Sequence, residues 1–409
     1  MASAWDAIVV GAGVIGSAVA YFLQEAGLRV CLLDRGAVAA GTTSASAGHT
    51  SVQGRVPGPA LDLALANVRL LGELKRALPD DFEYAQSGGL ILAEDETEYR
   101  LLRQFTAKQA HHAPVEFWEA EEVRRAEPHL DPRRILGATY CALDGYANPV
   151  RLAIALARGA RARGAEVLPH TEVVGILTEG GRATGVRTAT GIHRALAIVN
   201  AAGAWSGEIG RLAGVAVPVV PRKGELVVSE PLPRLLRCVI SHAGHIPFAD
   251  HGIEAPPEVE GELQKKRYLK QTGAGGFQGR VYVGSTSEFR GFDRSSTWDG
   301  VSQLCRYAID TVPALAGARL VRSWAGLRPR SRDGRFIIGE APGLPGFWLA
   351  TGHDSIGILY STMTGRLLAQ WLRTGERPAL LAPFDPARPS LAPAAPRADS
   401  KETDIHDTV

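Results

Sequence analysis

Three glycines and one acid near the start of the chain have the spacing that a dinucleotide phosphate requires. Gly11, Gly13 and Gly16 form a G-x-G-x-x-G motif, and Asp34 follows 18 residues after the last of them. The glycines permit a tight turn, close approach of a pyrophosphate to the backbone, and close packing of a helix on a strand. The acid can accept hydrogen bonds from ribose hydroxyls. The motif predicts nucleotide binding rather than a merely structural glycine turn, but FAD and NAD share it.

A second glycine-rich segment lies far along the chain. Gly352, His353 and Gly357 follow a predicted apolar strand and precede a predicted helix. A helix N-terminus at this place would carry partial positive charge, which suits a ring system that becomes negative on reduction. A nucleotide that reaches both glycine-rich segments would be longer than NAD, so the pair of segments favours FAD.

Two further stretches are suited to bring backbone N–H groups to a flat ligand. Residues 41–54 read GTTSASAGHTSVQG and follow the second predicted strand closely. Residues 195–201 predict an apolar strand that runs into Gly203, with Trp205 two residues later. Each stretch has a plain alternative, which is a surface loop for the first and helix–sheet packing for the second.

The hydrophobic pattern around these motifs predicts the elements that must position them. A strand, a helix and a second strand are predicted over residues 6–34, and further strands at 166–174, 175–186, 195–201 and 347–351. Helices are predicted at 61–78, 94–113, 150–163, 297–312 and 358–372. Residues 82–93 are strand-like, 268–271 and 280–284 predict a hairpin, and much of 234–266 is predicted to be an irregular insertion or lid.

The bulk composition excludes several classes of protein. A chain of 409 residues predicts two domains, and 45 basic against 43 acidic side chains give a net charge of +2. This balance argues against a nucleic-acid partner, such as the substrate of a tRNA-modifying flavoenzyme, and against an anionic membrane surface. The four cysteines are scattered without a C-x-x-C pair, so no metal site and no disulfide framework is predicted. Because the N-terminus has neither a signal peptide nor a membrane span, we expect a cytoplasmic protein.

Five motifs in order resemble the D-amino-acid oxidase (DAO) family of FAD-dependent amine oxidoreductases. They are GAGVIG with Asp34, TTSASAGH, NAAGAW, SWAGLRPRSRDG and GHDSIGI, within about residues 5–385. The branch resembled includes glycine oxidase, the hydrogen cyanide synthase subunit that oxidises glycine, and the beta subunits of opine, sarcosine and hydroxyproline oxidoreductases. The resemblance implies an α/β fold with a Rossmann-like, doubly wound FAD-binding domain and a β-rich α+β substrate domain. We expect the FAD domain at 1–85, 146–222 and 325–383, the substrate domain at 86–145 and 223–324, and a partly disordered tail at 384–409.

The resemblance implies a contact with FAD for each residue at a motif position. The ADP half would be held by Gly11, Ala12, Gly13, Val14, Ile15, Gly16, Asp34 and Arg35. Phosphate and ribityl oxygens would bond to Thr42, Thr43 and Ser44, and the flavin ring would lie along Ala47, Gly48 and His49. The adenine would meet the backbone of Val173, and the FAD groove would be lined by Ala202, Gly203 and Trp205. The flavin pyrimidine would be flanked by Gly352, His353, Gly357, Ile358 and Leu359, with His353 ordering the loop.

The resemblance also implies three residues around the substrate. Arg328 would pair with the substrate carboxylate, because a guanidinium fork binds a planar carboxylate bidentately and so directs the Cα–H bond toward flavin N5. Tyr268 would assist that pairing, and His49 would either accept a proton from the substrate amine or form a polar wall. The alternatives are a structural salt bridge for Arg328 and ordinary strand packing for Tyr268.

Two departures from the family pattern leave the substrate open. Ser355 stands where glycine-oxidase-like members carry an arginine in a G-H-x-R-x-G loop, and His49 stands where related enzymes often have glycine or an apolar residue. Members with covalent flavin carry a cysteine near the C-terminal half of the site. Since no cysteine lies beyond Cys305, we expect noncovalent FAD.

The expected activity is that of an FAD-dependent amino acid oxidase or dehydrogenase acting on CH–NH or CH–NH2. Hydride would pass from Cα of a small amino acid, of the glycine, sarcosine, D-amino-acid or N-substituted type, to flavin N5, and the imine would hydrolyse to an oxo acid. The electron acceptor would be O2, a membrane quinone or a protein. The alternatives are the beta subunit of an opine or hydroxyproline dehydrogenase, with a second subunit, and a non-catalytic flavoprotein that serves assembly or interaction.

Overall fold

Strands and helices alternate along the chain as an α/β protein requires. A computed structural model describes residues 5–254, 268–271 and 279–392. Its strands are, in chain order, β1 Trp5–Val10, β2 Val30–Leu33, β3 Gly89–Ala93, β4 Val115–Glu119, β5 Gly137–Cys141, β6 Glu166–Leu168, β7 Val173–Glu179, β8 Arg182–Thr188, β9 Gly191–Asn200, β10 Val219–Pro231, β11 Val239–His242, β12 Tyr268–Gln271, β13 Arg280–Gly284, β14 Leu320–Ser331, β15 Ile337–Glu340 and β16 Phe347–Thr351. Its α-helices over the same described ranges are α1 Val14–Glu25, α2 Pro59–Ala77, α3 Glu96–Gln109, α4 Ala120–Ala126, α5 Pro149–Ala162, α6 Ser206–Leu212, α7 Trp298–Thr311 and α8 Gly357–Thr374.

The first sheet is the Rossmann-like part of the molecule. Its strand order is β15–β16–β9–β1–β2–β6, with β8 beside β9 and β7 beside β8. Strand β1 pairs in parallel with both β2 and β9, and its residues Ile8 and Val9 are fully buried on opposite faces. An apolar run buried on both faces is typical of a central parallel strand. Helices α1 and α8 pack closely, because Gly365 has no Cβ to meet the backbone of Ala18.

The second sheet is mostly antiparallel. Its strand order is β14–β10–β13–β12–β11–β3–β5–β4, and among these pairs only β11 with β3 is parallel. Helix α7 covers one face, where Leu304 and Tyr307 join a core with Val227 and Val283. The predicted fold class, a doubly wound sheet beside a β-rich part, is confirmed. The domain boundaries stay a proposal, and strands β10 and β14 each run across one of them.

Three predictions of elements were wrong in part. The segment 234–266 is not wholly irregular, because Val239–His242 forms β11 between β12 and β3, and Ile240 is fully buried. The apolar run Cys238–Ile240 supplies a strand within a proline-rich segment, whereas residues 255–266 lie outside the described ranges. The strand predicted at 166–174 is two strands, β6 and β7, separated at Pro169. The strand-like stretch 82–93 is a strand only from Gly89 onward.

The hairpin agrees with the sequence prediction, and the first residue of the predicted tail is packed in the core. Strands β12 and β13 pair antiparallel with Leu269 opposite Val283, and their connection at 272–278 lies outside the described ranges. Phe384 is buried and packs on Phe336, with ring centroids 4.8 Å apart. Residues 393–409, where disorder was predicted, also lie outside the described part of the chain.

None of the helices in the described ranges has an apolar stretch of the length that crossing a membrane requires.

Candidate active site

Residues from both sheets line one long cavity of about 690 Å³. One end of the lining includes Asp34 and Arg35, and another part includes Arg328 and His353. The N-terminal residues of α1 and of α8 contribute to the same cavity. The cavity therefore joins the two glycine-rich junctions that the sequence analysis placed at opposite ends of one ligand.

The glycines of the first junction allow close backbone contacts. Gly11 has φ +107°, and a Cβ there would lie 2.6 Å from the carbonyl oxygen of Ala201. A Cβ on Gly16 would overlap the carbonyl oxygen of Gly11. The N–H group of Val14, in the first turn of α1, donates to Thr43 Oγ1 at 3.0 Å. Gly13, Val14 and Ile15 line the cavity, whereas Ala12 and Gly16 shape the turn behind it.

The acid of the motif is held in place by two backbone groups. Asp34 accepts hydrogen bonds from the backbone N–H groups of Ala12 and Gly36, and each N–O distance is 2.7 Å. A carboxylate has about four acceptor positions, so two remain for ribose hydroxyls. The neighbouring Arg35 guanidinium lies 4.7 Å from the ring centroid of Trp205, and both residues line the cavity.

Further along the cavity, the three predicted hydroxyl ligands are not equivalent. The Thr42 hydroxyl donates to the carbonyl oxygen of Leu327 at 2.6 Å, and the Thr43 hydroxyl accepts from the Val14 N–H group. Both threonines line the cavity. Ser44 is exposed, donates to the carbonyl oxygens of Ala40 and Gly41, and is absent from the cavity wall. Of the other predicted contacts, the cavity wall includes Ala47, Gly48, Val173, Ala202 and Gly203.

The segment that carries His49 is anchored by one buried carboxylate. Asp144 accepts from Ser51 Oγ at 2.6 Å, from the Val52 N–H at 2.7 Å and from Gln53 Nε2 at 2.8 Å. Burial raises the pKa of Asp144, and these hydrogen bonds oppose the rise. His49 forms a β-bridge with Tyr146 and is half-buried in the cavity wall. The position of His49 is thus set by the β-bridge to Tyr146 and by the hydrogen bonds that Asp144 accepts from the residues after His49.

The junction before α8 orders its own loop. His353 is buried, its Nε2 lies 3.1 Å from Thr364 Oγ1, and its ring stacks on Phe336 at 4.8 Å. Burial lowers the pKa of His353 to about 3, so the imidazole is neutral at ordinary pH. Gly357 and Ile358 line the cavity with His353, but Gly352 lies outside the wall and Leu359 is buried in the core.

A cluster of three charges lies at the same junction. Asp354, in the left-handed region at φ +45°, accepts from Arg222 Nη2 at 2.7 Å and from Arg330 Nη1 at 3.1 Å. The side chains of Asp354 and Arg222 are 9% and 15% exposed. Asp354 and its neighbour Ser355 line the cavity. The sequence analysis missed this cluster, because the pairing residues are 132 and 24 positions apart.

Arg328 is half-buried on β14 and its guanidinium is oriented by the protein. Nη1 donates to the carbonyl oxygens of Lys223 at 3.3 Å and Thr286 at 3.1 Å. Nη2 donates to Ser285 Oγ at 2.5 Å and to the Thr286 carbonyl at 3.2 Å. Gly224 makes room for this arrangement, because a Cβ there would overlap the guanidinium. We call the contacts from Ser285, Thr286 and Lys223, together with the space at Gly224, the Arg328 bracket.

The loop that supplies the Arg328 bracket is itself fastened to β10. The Glu225 N–H donates to Thr286 Oγ1 at 2.9 Å, and Lys223 exchanges two backbone hydrogen bonds with Glu288. Lys223 Nζ lies 3.4 Å from Glu225 and 3.1 Å from Asp293. Burial alone would lower the pKa of Lys223, but these two carboxylates raise it above its ordinary value. The lysine is therefore charged and ties the loop to the sheet.

Tyr268 is placed only by its backbone. Strand register pairs it with Gly284 of β13 and with Ser241 of β11, so it neighbours the segment that carries Ser285. Its side chain lies outside the described atoms, and its predicted role stays a prediction.

Sequence reasoning missed the Arg328 bracket. Gly224 offered a signal, since glycine inside a strand often marks the close approach of another group. Ser285 and Thr286 offered none, because their role depends on β10 lying between β14 and β13, the strand that they follow.

The cavity fits FAD on its own geometry. The Asp34 carboxylate, which suits ribose, lies near the glycine turn, and this turn leaves space at the N-terminus of α1. The N-terminus of α8 lies further along the same cavity. The arginine on the wall beyond them suits the anionic end of a substrate.

Comparison with known proteins supports the same assignment. A model of the family DAO, described as FAD dependent oxidoreductase, matches residues 6–371. Hydrogen cyanide synthase subunit HcnC of Pseudomonas aeruginosa is 32% identical over 435 residues, spanning 96% of this chain and 98% of that protein. Glycine oxidase of Geobacillus kaustophilus is 32% identical over 396 residues, spanning 95% and 98%. A crystal structure of glycine oxidase from that organism superposes with a TM-score of 0.82 at 30% identity, covering 94% and 98%. The chain therefore belongs to the DAO family of FAD-dependent oxidoreductases.

Proposed function

We propose that this enzyme oxidises the C–N bond of a small amino acid of the glycine, sarcosine or D-amino-acid type. Bound FAD supplies the acceptor for a hydride, which carries two electrons and one proton from Cα. The substrate nitrogen loses a second proton to water, and the resulting imine hydrolyses to an oxo acid and an amine or ammonia. The protein's part is to bind the carboxylate, orient the Cα–H bond and keep the amine neutral.

The observation that carries this proposal is the guanidinium of Arg328 on the cavity wall. The described bracket acceptors, two carbonyl oxygens and one hydroxyl, are neutral, so they orient the fork without adding a negative charge. A charge-assisted, bidentate pair with a substrate carboxylate would then hold Cα at one position. Such positioning supplies much of the rate enhancement when the cofactor performs the redox chemistry.

His49 is the polar side chain that we place beside the substrate amine. It lines the cavity and is half-buried, and its segment is held by Asp144. His49 serves as a polar wall or accepts the amine proton, and the two roles differ in the pH profile of a His49→Ala variant. A proton acceptor would be needed below the pKa of the substrate amine, whereas a wall residue would change affinity at all pH values.

We also propose that the cavity residues named above bind FAD without a covalent bond. The support is that the described cysteines lie away from the cavity wall, at Cys31, Cys141, Cys238 and Cys305. Denaturation in acid should then release all flavin into the supernatant. Flavin that stays with the precipitate would contradict a noncovalent site.

A second candidate is the beta subunit of an opine or hydroxyproline dehydrogenase. It is favoured by similarity to a protein named as a subunit, HcnC. In that case a partner subunit carries electrons from FAD to a quinone or protein, and O2 reoxidises the enzyme slowly.

Anaerobic flavin bleaching tests the function directly. The holoenzyme is mixed with glycine, sarcosine, D-amino acids, D-hydroxyproline and opines, and the loss of flavin absorbance is followed. We expect bleaching by at least one of these amines, and reoxidation with O2 or a quinone identifies the acceptor. A holoenzyme that no amine-bearing acid bleaches would exclude the activity.

A further inference from the structure

The cluster of Arg222, Asp354 and Arg330 carries a net charge of +1 at the wall of the cavity. Two guanidinium groups share one carboxylate, with contacts of 2.7 Å and 3.1 Å. Asp354 lines the cavity at the junction before α8, and the arginines lie behind it. The Asp354 and Arg222 side chains, exposed by 9% and 15%, are poorly screened by water, whereas the Arg330 side chain is 37% exposed and lies nearer to solvent.

The position of the cluster coincides with a departure from the family pattern. Glycine-oxidase-like members carry an arginine where this chain has Ser355, next to Asp354. The three-residue cluster places a net single positive charge beside Ser355. It does so with residues from β10 and β14, the two paired strands that also carry Gly224 and Arg328.

We infer that this cluster supplies the positive charge that stabilises the anionic reduced flavin. The inference rests on one part of the proposed function, the binding of FAD, with the flavin pyrimidine beside Gly357 and Ile358 at the junction before α8. Charge near the flavin N1 and N5 positions tunes the electronics of the ring. The helix N-terminus of α8 acts in the same direction as the cluster, since both favour negative charge in the cavity. Arg222, Asp354 and Arg330 are thus positioning residues that act on the cofactor's charge.

Sulfite binding to the oxidised holoenzyme measures this effect without turnover. Sulfite shares its lone pair with flavin N5 and leaves negative charge on the ring, so its dissociation constant reports the local potential. In Arg330→Gln the net charge falls from +1 to 0, and we expect sulfite to bind at least fivefold more weakly. In Asp354→Asn the charge rises to +2, and we expect sulfite to bind at least fivefold more tightly.

The double variant separates charge from structure. Arg330→Gln combined with Asp354→Asn has a net charge of +1 again, so its sulfite affinity should return to within about twofold of the parent. If the cluster only held the loop together, the two losses would add and the double variant would be the weakest. Arg29→Gln, which breaks an exposed pair with Asp6 at the other end of β1, is the matched control and should leave sulfite binding unchanged.

A second ligand distinguishes the flavin from the substrate as the target of the charge. Methoxyacetate, a carboxylate that cannot be oxidised at a C–N bond, perturbs the flavin spectrum when it binds. If methoxyacetate affinity follows the variants while sulfite affinity does not, the cluster serves the substrate and the inference is overturned. Unchanged affinity for both ligands would also overturn it. An enzyme that binds sulfite as expected but is bleached by no amine would lose the proposed function and keep the inference.

Discussion

The two ends of the cavity, where we propose that the nucleotide and the substrate bind, are assembled in different ways, and we call them the nucleotide end and the substrate end. At the nucleotide end, Asp34 bonds to Ala12, which lies 22 residues earlier across one strand–helix–strand unit. At the substrate end, Arg328 bonds to Lys223 and Thr286, which lie 105 and 42 residues earlier. The first arrangement follows from a local motif, whereas the second needs three strands of a sheet, β14, β10 and β13, to pair in one register. Changes at the two ends should therefore affect different properties, and four substitutions test that separation.

The largest effect is expected at the nucleotide end. In Gly16→Ala, the new Cβ would overlap the Gly11 carbonyl oxygen, so the turn and the helix must separate. We expect a loss of about 3 kcal/mol in the free energy of unfolding, together with loss of FAD from the purified protein. Urea unfolding and the flavin absorbance per chain measure the two results.

Gly72→Ala is the matched control for that substitution. Gly72 lies within α2, and among the described residues no atom beyond its chain neighbours and the adjacent helix backbone lies within 4 Å of the position its Cβ would take. Replacing glycine by alanine inside a helix should stabilise the protein by roughly 0.5–1 kcal/mol. If Gly16→Ala behaved like Gly72→Ala, the close packing at the nucleotide end would be refuted.

The next largest effect is expected for Arg328→Ala. Loss of a charge-assisted pair should lower kcat/KM by about 10- to 150-fold, which corresponds to roughly 1.5–3 kcal/mol. The flavin content should not change, because Arg328 belongs to the substrate end. Steady-state kinetics with the best bleaching substrate measures the loss.

Arg328→Lys refines this comparison. Lysine keeps the charge but has no planar fork, so its activity should fall between those of the parent and Arg328→Ala. An unchanged kcat/KM in Arg328→Ala would remove this residue from the site.

A smaller, selective effect is expected for Gly224→Ala. The added Cβ would overlap the Arg328 guanidinium and displace it from the bracket. Overpacking of this kind costs about 1–3 kcal/mol, and here part of that cost appears as weaker binding of carboxylates. We expect KM to rise while FAD is retained. Loss of FAD with unchanged KM would show that the two ends are not independent.

The smallest effect is expected for Ser285→Ala, which removes one acceptor from the Arg328 bracket. The net contribution of one hydrogen bond is about 1 kcal/mol, and the Thr286 carbonyl still accepts from Nη2, so KM should rise about fivefold with kcat nearly unchanged. Ser323→Ala, on the same strand as Arg328, is the control. Equal effects of the two substitutions on KM would argue against a role for the bracket.

Much of the secondary structure was predictable, because the bounds of many strands and helices follow from the pattern of a short segment. The strand Phe347–Thr351 agrees with its predicted bounds, and α8 extends the predicted 358–372 by only a few residues. Strand β11 was not predicted, since a four-residue segment with only two apolar residues, Val239 and Ile240, becomes a strand only when β3 and β12 are beside it. Ser44 and Leu359 were named from motif positions, but a motif does not tell which way a side chain turns.

The sequence by itself determined the nucleotide end, because a glycine turn, a helix N-terminus and an acid 18 residues later leave the chain one local conformation. It also determined that an arginine would be present at position 328. Only the tertiary structure decided what holds that arginine and what charge surrounds the junction before α8. Those contacts join residues from 24 to 132 positions apart, and strand register, which no local pattern encodes, brings them together.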